Sequence, residues 1–185
     1  MFNQAPAPEI LLEQCRRGDL RACRQLYEQY AGAMFNICLR MLNDTRDAED
    51  MLQEAFSQVF KSLGTYRGEA SIGAWIKRIV INKCLNHLKK RKFYFEDIEQ
   101  VEVKEEEKVD ENAHALTVAK VQEAIRGLPD GYRVVLTLYL FEDYSHKEIA
   151  QSLGISESTA KTQYMRAREK VRRMVQEQID INSVL

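Results

Sequence analysis

The chain has 185 residues, 45% hydrophobic and 30% charged, with 27 basic residues against 28 acidic ones. That apolar share excludes a wholly disordered chain. With only 8 glycines and 3 prolines, a collagen-like or proline-rich chain is excluded too, and a turn-dense sandwich of short strands is disfavoured.

Residues 1–10 show neither the basic n-region nor the apolar h-region of a secretory signal. The longest near-continuous apolar run, Val134 to Phe141, falls far short of the roughly 20 residues that span a bilayer. The expectation is a cytoplasmic protein with no direct membrane insertion. Cys15, Cys23, Cys38 and Cys84 form no C-x-x-C pair, and no disulfide framework is expected. Cys84 and His87 have a spacing that could share a metal, but a helical cysteine lodged in apolar packing is the simpler reading. No metal and no cofactor are expected.

In chain order, a short helix is predicted over Glu9 to Arg17, stopping at Gly18. Asp19 then caps a long helix through Leu26, Tyr30, Met34, Ile37, Cys38 and Met41. After Asp44 or Thr45 the apolar residues Ala48, Met51, Leu52, Ala55, Phe56, Val59, Phe60 and Leu63 follow the helical period without a gap, and Gly64 would end that helix. Ser71 can cap a further helix to about Lys92. Residues 96–112 break the pattern and read as a solvated tether, with a short strand at Glu99 to Val103 the lesser alternative. Helical periodicity resumes near Leu116 and runs to Gly127. Pro129 sits just inside the start of the next helix, and two more are predicted over Ser145 to Leu153 and Ser156 to Val175. The fold class expected is all-α, with two small helical domains at 1–92 and 114–185 joined by an acidic linker at 93–113.

Charge is segregated along this frame. Residues 77–92 hold seven basic residues and no acid, residues 93–112 hold nine acids against Lys104 and Lys108, and residues 157–173 hold six basic residues against Glu157 and Glu169. Two basic blocks around an acidic one point to an anionic partner for part of the chain.

Residues 145–173 read as a helix-turn-helix. Ser145 with Glu148 makes a capping-box pattern, Gly154 allows the tight turn, and Ser156 caps the next helix. On that helix Ala160, Tyr164, Ala167 and Val171 share one stripe, with Ser158, Lys161, Thr162, Met165 and Arg172 on the other side. This suits insertion in a DNA major groove; a helical hairpin with a solvated basic face is the alternative. In the first domain, Trp75, Arg78, Asn82, Asn86 and Lys89 fall on one helical stripe beyond a Tyr66-Arg67-Gly68 loop. An aromatic, two amides and two cations so placed could hold a nucleic-acid backbone and an unstacked base, although Trp75 alone reads more simply as core. The preceding helix is expected to expose Asp47, Asp50, Gln53, Glu54 and Gln58, a face that is either solvated or a dock for a basic partner.

Together the motifs DAEDMLQEAF at 47–56, YRGEASIGAWIKRIVINKCLNHLKKRK at 66–92, LPDGYRVVLTLYLFEDYSHKEIAQSLGIS at 128–156 and STAKTQYMRAR at 158–168 resemble bacterial sigma factors of the sigma-70 family, of the small extracytoplasmic-function (ECF) type. The resemblance spans about Ile10 to Val175. It implies a promoter-specificity subunit, not an enzyme, with core RNA polymerase, promoter DNA and an anti-sigma factor as partners. It implies that Asp47, Asp50, Gln53, Glu54 and Phe56 dock on the β′ clamp helices of the polymerase. It gives Tyr66, Arg67, Trp75, Lys77, Arg78, Asn82 and Lys89 to melting and reading of the −10 element. It gives Ser158, Thr159, Lys161, Thr162, Gln163, Arg166 and Arg168 to the −35 element, with the second domain also meeting the polymerase β flap. The acidic linker resembles the tether that threads toward the RNA exit path. Ser158 stands where the family usually has Gly, and Gln163 where it often has Arg; an amide there could pair with adenine. A stand-alone helix-turn-helix regulator is the competing reading, and an enzyme using Cys84, His87 and a metal is a third.

Overall fold

The computed structural model describes residues 7–90 and 118–183, with side chains through 177. Among these residues there are eight α-helices and no strand, so the all-α expectation holds. The acidic linker, its possible strand and the expected helix limits at Lys92 and Leu116 lie outside the described residues. The helices fall into two units, α1–α4 and α5–α8.

In the first unit, short turns separate α1 (Pro8–Arg16), α2 (Leu20–Leu42) and α3 (Thr45–Lys61), and a longer loop over residues 62–71 leads to α4 (Ile72–Lys90). Asp19 caps α2, its carboxylate accepting from the N–H groups of Arg21 and Ala22; Asp44 caps α3, accepting from Asp47 N at 2.9 Å. Each satisfies donors that a helix start leaves bare. Gly64 does not end α3. The helix stops at Lys61, where the Ser62 hydroxyl donates to the Gln58 carbonyl at 2.6 Å, and Gly64 sits in a 3₁₀ turn at Leu63–Thr65. A serine that bonds the preceding turn competes with continued helix.

The buried stripes of α2, α3 and α4 face one another. Leu26, Ile37, Cys38 and Met41 of α2, Ala48, Ala55, Phe56 and Val59 of α3, and Ile76, Val80, Ile81 and Cys84 of α4 are at most a few per cent exposed. Each such large side chain contributes about 1.5–3 kcal/mol of burial. Cys84 belongs to this packing, with its Sγ 3.6 Å from Cys38 Sγ. Its contact with Cys38, together with burial, holds the Cys84 thiol well above the ordinary thiol range. Phe56 is 2% exposed, with its ring edge-on to Tyr27 at 4.7 Å. This corrects its assignment to polymerase docking: the i, i+3, i+4 spacing from Leu52, Ala55 and Val59 puts it on the core stripe.

The second unit comprises α5 (Val118–Arg126), α6 (Asp130–Leu140), α7 (His146–Leu153) and α8 (Glu157–Ser183). Pro129 is the N-cap of α6 rather than a residue inside it. Buried Val134, Val135, Leu136 and Leu138 of α6 form its centre with Ile149 of α7 and Ala160 and Ala167 of α8. Arg133 is buried beside them, its guanidinium donating to the Leu128 carbonyl at 2.7 Å and pairing with Asp130.

Phe56→Ala should therefore cost about 3–5 kcal/mol in urea unfolding, as for other buried aromatics. Gln53→Ala, on the exposed side of the same helix, should stay within about 0.5 kcal/mol. Similar losses for the two would contradict this placement.

Candidate nucleic-acid interface

Helix α3 turns its polar side outward, with Asp50, Gln53, Glu54 and Gln58 exposed. Asp47 is a correction to that face. Its side chain is 17% exposed, and its Oδ1 lies 3.5 Å from His87 Nε2 of α4. Glu54 Oε2 lies 3.5 Å from Lys83 Nζ. The two bridges run in opposite senses along the helices, as antiparallel neighbours require, and the end of α4 comes over Asp47.

On α4 the predicted stripe is present. Arg78, Asn82, Asn86 and Lys89 are exposed and Trp75 is half-buried at its head. Lys77 does not join it, because two residues along a helix is a rotation of about 200° from Trp75; it is half-buried on another side. Asn82 faces outward. Ahead of the stripe, Tyr66 packs against Trp75 with ring centroids 5.3 Å apart, and its hydroxyl donates to the Ala70 carbonyl at 2.6 Å. Arg67 is exposed beside them. Tyr30 of α2 closes the other side: a Cβ on Gly73 would come 3.0 Å from its ring, so a larger residue there would require the ring to shift. Burial, with the charge of Glu9 and the Tyr66 phenol, raises the Tyr30 phenol above its ordinary range. Tyr30 and Gly73 were not singled out from sequence. A lone Tyr on a core-facing helix carries no signal of the loop it meets.

In the second unit Ser145 and Glu148 form the full capping box. Glu148 Oε2 accepts from Ser145 N at 2.9 Å, and the Ser145 hydroxyl accepts from Glu148 N. Gly154 takes φ +74°, the left-handed conformation that ends α7, and its N–H donates to the Ala150 carbonyl at 2.9 Å. Ser156 caps α8, accepting from Thr159 N at 3.0 Å. Its hydroxyl lies 2.8 Å from that of Ser158 and 2.7 Å from that of Thr159. Ser158, Lys161 and Arg168 are exposed; Thr159, Thr162 and Arg166 are half-buried, and the Thr162 hydroxyl donates to the Ser158 carbonyl. Lys161 Nζ is 3.0 Å from Glu157 Oε1 and holds that carboxyl below the usual carboxylate range.

Gln163 is 3% exposed, which overturns its assignment to a DNA base. It stands three residues after Ala160 and four before Ala167, both fully buried, and so shares their face. Outside the turn, the His146 ring stacks on Tyr139 at 4.4 Å, with Tyr164 closing the cluster. Burial, then the nearby Lys161 charge, pushes His146 below its ordinary value near 6.5.

Two family models match the chain: Sigma-70 region 2 over residues 26–94 and Sigma-70 region 4 over residues 119–171. The RNA polymerase sigma-H factor of Pseudomonas aeruginosa is 31% identical over 180 residues, covering 90% of this chain and 92% of that one. The chain is a sigma-70 family RNA polymerase sigma factor of the ECF type. Proteins of this family initiate transcription without catalysing a reaction of their own, so this sigma factor is not an enzyme. The ECF sigma-E factor of Escherichia coli is 27% identical over 180 residues, covering 91% of this chain and 94% of that one. The sigma factor RpoE in complex with the anti-sigma factor NepR, from Bartonella quintana, shares the fold with TM-score 0.55 at 18% identity, covering 83% of this chain and 96% of that one. CnrH in complex with the cytosolic domain of CnrY gives 0.54 at 21%, covering 93% and 99%. No helix among the described residues of this sigma factor is long and apolar enough to cross a membrane.

Below pH about 6.5 the unfolded chain takes a proton that the folded His146 ring resists, so stability falls as pH drops. Thermal unfolding from pH 8 to 5 should show this loss, and His146→Phe, which keeps the stack, should lose less. Equal pH slopes would contradict the assignment to His146.

Proposed function

We propose that this sigma factor divides promoter recognition between its two units. Residues 1–92 dock on the β′ clamp helices and open the −10 element, residues 93–113 tether the units, and residues 114–185 read the −35 element beside the β flap. The supporting observation is that one small bundle carries two unlike faces. The acid–amide face of α3 suits basic partner helices, and the Trp75–Lys89 stripe of α4 suits a melted strand. A stand-alone regulator has no use for the first of these.

Docking rests on Asp50, Gln53 and Glu54. The Lys83 pair at Glu54 is partly exposed, so its exchange for a polymerase cation costs little. Opening rests on Tyr66, Arg67, Trp75, Arg78, Asn82 and Lys89. Unstacking a base costs a few kcal/mol, and an aromatic pair with an amide edge nearby offsets it. For the −35 element, Ser158 and Thr159 lie at the start of α8, where a helix meets base edges, and Lys161 and Arg168 suit phosphates on its flanks. The solved relatives are each held by an anti-sigma factor or a cytosolic partner domain, which supports a regulatory partner of the same kind here.

Asp50→Lys with Glu54→Lys should lower affinity for bacterial core RNA polymerase at least about tenfold, equivalent to about 1.4 kcal/mol, with helical content unchanged. Unaltered affinity would remove the docking role. Lys161→Ala should weaken −35 duplex binding and flatten the slope of log affinity against log salt by about 1. An effect on −10 discrimination alone would contradict the division of labour.

A further inference from the structure

Helix α1 lies wholly before residue 26, where the Sigma-70 region 2 match begins, and none of the residues named so far for docking or opening stands on it. Its last residue, Arg16, spends all three guanidinium nitrogens. Nε donates to the Leu63 carbonyl at 3.0 Å, and one terminal nitrogen donates to the same oxygen at 2.9 Å. That nitrogen also donates to the Tyr66 carbonyl at 2.7 Å, and the other faces Glu13 Oε2 at 3.5 Å. The two carbonyls bracket the 3₁₀ turn that leads from α3 into the Tyr66–Arg67 loop.

We propose that Arg16 is a positioning residue for promoter opening, holding the 63–66 turn so that Tyr66 is presented against Trp75 at the head of the α4 stripe. The inference rests on the reading of Tyr66 and that stripe as the −10 interface. A planar fork can grip two carbonyls at fixed spacing, whereas an ammonium offers one point of attachment. Glu13, one turn back on α1, steadies the guanidinium from behind. Below the clamp the loop has its own bonds, Thr65 Oγ1 to the Ser62 carbonyl at 2.7 Å and Tyr66 O–H to the Ala70 carbonyl. The loop is therefore set internally, and Arg16 fixes it to the bundle. Arg16 touches no promoter atom in this account; it acts through the backbone of residues 63 and 66.

Trp75 is the chain's single tryptophan, so its emission reports the loop in the free protein. The test uses the full chain with bacterial core RNA polymerase on a duplex promoter, and opening is read by permanganate reactivity of unpaired thymines. Arg16→Ala should lower opening roughly tenfold and shift Trp75 emission, with helical content, core affinity and −35 duplex binding unchanged. Arg16→Lys should fall between this variant and the native chain. Tyr66→Ala is measured beside them. Normal opening by Arg16→Ala with impaired opening by Tyr66→Ala overturns the clamp alone, and normal opening by both overturns the −10 reading beneath it. Impaired opening by Arg16→Ala with Tyr66→Ala silent, or a core affinity that falls in step with opening, makes Arg16 a structural residue and overturns the proposal.

Discussion

A helix in a small bundle has one buried stripe, and every polar residue on it must find its place relative to that stripe. Here the constraint acts through the mutual packing of α2, α3 and α4. Helix α3 packs against α4, with Ala55, Phe56 and Val59 buried on the one and Ile76, Val80 and Ile81 buried on the other. Once those side chains are inside, Asp50, Gln53 and Glu54 must face out on one helix and Arg78, Asn82 and Lys89 on the other. The two unlike surfaces are consequences of one apolar interface. Damage to that interface would disturb both at once, which is why each functional variant has to be read against its folding.

The helix-turn-helix obeys the same constraint with smaller side chains. Ala150 and Ala160 are buried on α7 and α8, which pack together, and small residues there leave room for close approach; Ala167, further along α8, is buried with Ile125, Leu128 and Leu136. The Ser145–Glu148 box starts α7, the left-handed Gly154 ends it, and Ser156 starts α8. Three local devices thus fix the angle at which α8 leaves the turn. The hydroxyls of Ser158 and Thr159 are already tied to Ser156, so the beginning of α8 is ordered before any DNA arrives.

Much of this was legible because helices announce themselves through period and caps. Asp19, Asp44 and Ser145 act as the sequence led one to expect, and the α4 stripe from Trp75 to Lys89 is where its 100° rotation puts it. The departures have two causes. Phe56 and Gln163 took contact roles from the family motif, and both stand on core stripes. Asp47 was placed on the open side of α3 by its period, which carries no sign of the α4 end that comes over it, and Lys77 is out of phase with the α4 stripe. Arg16 was invisible for another reason. Its partners are backbone carbonyls 47 and 50 residues away, and a carbonyl leaves no trace in residue identity.

As a sigma factor, this chain should give core RNA polymerase its choice of promoter. The most direct measurement is run-off transcription by core RNA polymerase on genomic fragments of the host, with and without the purified chain. New discrete transcripts whose start sites share a −10 and a −35 sequence are expected. Clear duplex binding by the chain alone, with no polymerase binding and no new transcript, would contradict this role.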